Sequence, residues 1–109
     1  MPTPEAVALA ALARFAPDRL TKIDVARGRQ LFLGLNCFEP GQAQRTHAHR
    51  GADKFYLVVS GKASIDIDGT LVEALPGEVV WAPADVPHGV APVSERTVLL
   101  IGLAPPPGS

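Results

Sequence analysis

From residue 20 onward the apolar positions fall in short runs separated by turn residues. Ala63, Ile65 and Ile67 alternate with Ser64, Asp66 and Asp68, the period-two pattern of a strand with one wet face. Asp68-Gly69 then marks a two-residue hairpin, because both positions tolerate positive φ. The pattern predicts strands over Leu20–Val25, Gln30–Phe38, Ala43–His49, Lys54–Val59, the alternating stretch from Ala63, Thr70–Ala74, Glu78–Ala82, His88–Ala91 and Thr97–Leu103. Gln30–Phe38 is apolar on both faces, and Lys54–Val59 is strongly apolar. With turn signals every 8–12 residues and no helix between strands, the fold class is all-β, an antiparallel sandwich or barrel.

The two ends read differently. Thr3 can cap a helix with Pro4 at its first position and Glu5 in its first turn. Val7, Ala10, Ala11 and Phe15 share one face, Leu9 and Leu12 widen it, and Pro17 ends it, so a helix is expected over about residues 4–15. The last residues, 104–109, hold Pro105-Pro106-Pro107, cannot join a sheet ladder, and are expected to be loose.

Composition narrows the function. The 109 residues suit one domain, residues 1–109, with one core. A net charge of −1 offers nothing to nucleic acid or an anionic membrane, and no apolar run is long enough to span a bilayer. The N-terminal apolar stretch lacks the basic start of a secretory signal, and Cys37 has no partner for a disulfide. A cytoplasmic location is the expectation.

The chemistry lies in three histidines. His47 and His49 are two apart on a predicted strand, so both imidazoles leave the same face and can chelate one ion. His88 follows Pro87 at the start of another strand, where a barrel can bring a third ligand to the first two.

The spacing around them resembles the two signature motifs of the cupin superfamily, in its small single-domain form. Gly41, five residues, His47-Ala48-His49, four residues, Lys54, six residues and Gly61 are similar to the first motif. Gly77, five residues, Pro83-Ala84-Asp85, two residues and His88 are similar to the second. Lys54 stands where the family has a ligand Glu, Asp85 where it has Gly, and Pro92 where it has Asn. The resemblance implies a jelly-roll barrel whose metal ligands are His47, His49 and His88. A divalent ion is the implied cofactor, and Zn, Fe, Ni, Mn and Cu all suit imidazole.

Lys54 leaves three outcomes open. Its head turns to solvent or to Asp53 and a three-histidine site remains; Asp53 reaches in as a fourth ligand; or the metal is lost. The first is favoured, with the stem lying along Phe55 or Tyr56 and the ammonium carried to the barrel mouth. Arg45 shares parity with His47 and His49 and is a candidate to line the barrel and hold a substrate carboxylate. Tyr56 shares parity with Lys54 and is either a ligand contact or a lining residue whose hydroxyl meets backbone. Trp81 is a candidate for the pocket, an interface or the core. No catalytic residue is identifiable, and Asp53 and Asp85 are candidates by position alone.

The resemblance implies a small-molecule ligand, carboxylated or enolisable. An enzyme of this kind would be a metal-dependent oxygenase, isomerase or decarboxylase. The alternative is a non-enzymatic ligand-binding module with a degenerate metal site. A homodimer is expected, with Gln30–Phe38 as a strand that a partner covers.

Overall fold

The computed structural model describes residues 5–108. Nine strands form two antiparallel sheets. They are β1 (Thr21–Arg27), β2 (Phe32–Phe38), β3 (Gln44–His47), β4 (Asp53–Ser60), β5 (Ala63–Ile67), β6 (Thr70–Ala74), β7 (Val79–Ala82), β8 (His88–Val90) and β9 (Thr97–Ala104). One sheet runs β1-β2-β9-β4-β7 and the other β3-β8-β5-β6. The result is a jelly-roll barrel.

Alternation decides what each strand buries. In β4, Lys54, Tyr56 and Val58 point inward, and in β9 so do Leu99 and Ile101. With Phe38, Ile65, Val80 and Val90 they make the core between the sheets. A second cluster lies on the outer face of the larger sheet. There Leu35, Cys37 and Val98 pack against Leu9, Leu12, Ala13 and Phe15 of the N-terminal segment. Cys37 is therefore a small buried hydrophobe, and burial pushes its thiol pKa up.

Three expectations about the ends and edges change. The helix is a single turn, Leu9–Leu12. Thr3 and Pro4 lie outside the described residues, Ala8 is extended and offers no side-chain cap, and the segment lies flat on the sheet instead of continuing as a helix. Its packing face is Leu9, Leu12 and Phe15, while Val7, Ala10 and Ala11 are exposed. Through Pro107 the C-terminal tail is held against the sheet, and Ser109 lies outside the described residues. β9 runs to Ala104, Pro106 is buried, and the Arg27 guanidinium donates to the Pro107 carbonyl at 2.6 Å. Lastly, β2 lies inside its sheet between β1 and β9, so it has no open edge for a partner. Both its faces are apolar because one meets the barrel interior and the other the N-terminal segment.

Candidate metal centre

His47 ends β3 and His88 begins β8, and the two are direct partners in the β3–β8 ladder. His49 lies just beyond β3, in the loop toward β4. One ring nitrogen from each imidazole lies within 4.8 Å of the other two. The Nε2 atoms of His47 and His49 are 3.0 Å apart.

Backbone carbonyls set the tautomers. His47 Nδ1 sits 2.9 Å from the Arg45 carbonyl and His88 Nδ1 3.0 Å from the Val86 carbonyl. A carbonyl can only accept, so each Nδ1 carries the proton and each Nε2 presents a lone pair. The His88 Nε2 is buried and has no hydrogen-bond partner. A buried acceptor without a partner is costly, and a cation shared with His47 and His49 would satisfy it. The donor set thus fits a divalent ion. When bound, such an ion with open coordination positions supplies Lewis acidity.

Burial and neighbouring charge favour the neutral imidazoles of His49 and His88, the form that binds a metal. Burial, then the charge on Lys54, then the neighbouring imidazoles push the His49 pKa down to about 4. His88 is lowered mainly by burial, against a raising effect of its bond to Val86.

Two aspartates hold the loop that carries His49. Asp85 accepts from the Gly51 N–H at 2.8 Å, and its own N–H donates to the His49 carbonyl at 3.1 Å. Asp53 accepts from the Ala84 N–H at 3.0 Å. Asp53 is exposed and outside the histidine cluster, so it is not placed as a fourth ligand. Asp85 has φ +68°, a conformation Asp tolerates better than most residues. At the position where the family has Gly, it thus holds a backbone state that Gly adopts freely, while adding a tether.

The sequence-based candidates divide. Lys54 is inside, only 4% exposed, with its Nζ 4.6 Å from the centre of the Tyr56 ring. Its head lies over the Tyr56 ring and neither turns out to solvent nor pairs with Asp53. A cation over the aromatic face offsets part of the cost of burial. Burial and the nearby Lys22 push its pKa down to about 8. Tyr56 is fully buried, and its hydroxyl donates to Gln44 Oε1 at 3.0 Å instead of to backbone.

Arg45 is exposed and does not line the cavity inside the barrel, though it lines an open groove that also includes His47 and His49. The β3–β8 register pairs Gln44 with Val90 and His47 with His88, three steps on one strand against two on the other. That bulge breaks the alternation, turning Gln44 inward and Arg45 out. Trp81 is 54% exposed on the outer face of β7, opposite in parity to buried Val80 and Ala82, so it points away from the barrel interior.

A cavity of about 230 Å³ adjoins the histidines. Its polar lining includes His47, His49, Lys54, Lys22, Asn36 and Gln44, and its apolar walls include Ile101 and Leu103. Lys22, Asn36 and Gln44 escaped sequence reading. Parity on β1 and β2 relative to their outward Ile23 and Leu35 was the available signal for the first two; the bulge hid Gln44.

The chain matches the family model described as a cupin domain over residues 34–102. It is 34% identical to an uncharacterised protein of Streptomyces coelicolor, over 73% of this chain and 75% of that one. It is 33% identical to the dimethylsulfoniopropionate lyase DddW of Ruegeria pomeroyi over 72% of this chain, but spans only 51% of the lyase. Among solved structures, TT1209 of Thermus thermophilus superposes with a TM-score of 0.90 at 34% identity, covering 95% of this chain and all, 100%, of that one. KdgF of a Halomonas species shares the fold with a TM-score of 0.77 at 21% identity, covering 82% of this chain and 81% of that one. The two-motif spacing, the jelly-roll topology and these matches agree, and the chain belongs to the cupin family.

Proposed function

We propose that this cupin binds one divalent metal ion through His47, His49 and His88 and presents it to a small carboxylated or enolisable molecule in the adjoining cavity. The observation that carries this reading is the buried, partnerless Nε2 of His88 beside two further imidazoles. The 230 Å³ cavity is below the roughly 300–1,000 Å³ of pockets for drug-sized ligands, which favours a small molecule. The likeness to a lyase supports an enzyme. The test is metal analysis of protein purified without added metal, followed by titration with Zn, Fe(II), Ni, Mn and Cu(II) salts. About one equivalent is expected, and its loss in His88→Ala. Wild type that takes up none of these ions overturns the reading.

A second reading is a non-enzymatic module that holds its ligand without metal. The buried ammonium of Lys54, where the family has a carboxylate ligand, favours it.

The assembly proposed is a homodimer, through a surface other than β2. The N-terminal segment covers only part of the outer face of the larger sheet. Beyond it, edge strand β7 exposes Val79 and Trp81, which pair in register with Leu57 and Phe55. A second copy would cover both the apolar face and the open edge. The cytoplasm is the proposed location, resting on the lone Cys37. No helix among the described residues is long and apolar enough to cross a membrane.

A further inference from the structure

We propose that Lys54 and Lys22 form an anion subsite beside the three histidines, and that the ligand of the cavity is a small carboxylate with a short apolar body. The inference rests on the reading of this cavity as the ligand site, but not on its metal.

The argument starts from Lys54. A charged side chain only 4% exposed is expected to have an anionic partner. Lys54 has none. The ion pairs among the described residues are Lys62–Glu73 and Arg96–Glu39. The sole aromatic contact, with the Tyr56 ring, leaves the ammonium hydrogens free for an acceptor. Lys22, itself exposed, lines the same cavity and repels it, so the cavity carries a second positive charge. Asp24 also lines the cavity, yet lies beyond ion-pair distance of both lysines. An anion entering the cavity would give the buried Lys54 ammonium its missing partner, with Lys22 adding attraction, and a carboxylate supplies that charge on a small body.

The rest of the lining says what the carboxylate is attached to. Phe32, Ile101, Leu103 and Pro107 form apolar wall, and Pro107 is held there by Arg27. Asn36, only 5% exposed, adds one amide. This is the composition of a pocket that orients a mostly apolar molecule by a few polar groups.

The test compares isobutyrate with its neutral counterpart isobutyramide, titrated by NMR into protein stripped of metal at pH 7. The wild type should bind the carboxylate at least about tenfold more tightly than the amide. Lys54→Met should reduce that preference to within about twofold, and Lys54→Arg should keep most of it. The amide spectrum reports in the same experiment that each variant is folded. Equal affinities in the wild type, no carboxylate binding, or a preference that survives in folded Lys54→Met each overturn the proposal. Because no metal is present, these outcomes are independent of whether the histidines bind an ion.

Discussion

His47 and His88 face each other across the β3–β8 ladder with ring centres 4.6 Å apart, although 41 positions separate them in the chain. Their approach depends on Gly89, the next residue of β8. A Cβ there would lie 2.8 Å from the Gln44 carbonyl oxygen and 2.9 Å from the Thr46 Cα and nitrogen. These are backbone atoms of the bulged strand and cannot swing aside. Gly89→Ala should therefore destabilise the protein by about 1–3 kcal/mol and push β3 off β8. Urea unfolding and metal titration should both register it, and a variant as stable and as tight as wild type would show that the bulge can shift freely.

Lys54 lies over the Tyr56 ring and, with a pKa of about 8, offers a metal no lone pair at pH 7 while it is protonated. Lys54→Ala should leave metal stoichiometry nearly unchanged, whereas Lys54→Glu should tighten divalent binding by adding an acidic ligand. Metal titration of the three proteins decides this. Loss of binding in Lys54→Ala would make the amine part of the site.

The same residue sets a pH dependence. Its folded pKa of about 8 lies below its ordinary 10.5, so between those values the unfolded chain binds more protons. Stability should rise with pH across that window. The penalty is complete below about pH 8 and gone above about pH 10.5. In metal-free protein at pH 7, Lys54→Met should be more stable than wild type by about 2–3 kcal/mol, the gap closing toward pH 10.5. Urea unfolding at pH 7 and pH 10 measures it; a gap that does not narrow contradicts the assignment.

Asp85 combines a positive φ with the tether to Gly51. Asp85→Ala keeps the strained conformation and loses the tether, at a cost of about 1–3 kcal/mol, while Asp85→Gly loses only the tether. Both should weaken metal binding by loosening the His49 loop, with Ala the less stable. Equal stability of the two would deny a backbone role for this position.

Trp81 and Val79 are 54% and 57% exposed on the edge strand. If a second copy covers them, Trp81→Glu should convert dimer to monomer in light scattering at micromolar concentration. Wild type that is already monomeric there excludes this dimer.

Much was legible before folding. Two-residue alternation foretold the strands and placed Lys54, Tyr56 and Val58 on one inward face, because the strand period allows no other arrangement. Motif spacing singled out the three histidines. What alternation could not reveal is where it fails. The bulge between Gln44 and His47 is a property of two strands pairing, fitted against Gly89, and it alone exchanged Arg45 for Gln44 at the cavity. The same limit applied to Trp81, whose exposure depends on which neighbour covers each face, and to the proline tail, held by an arginine 80 residues away. For Lys54 the sequence determined the direction of the stem, and only tertiary structure decided the fate of the charge. The head follows whichever contacts lie within reach of a long, flexible chain, and these come from strands distant in sequence.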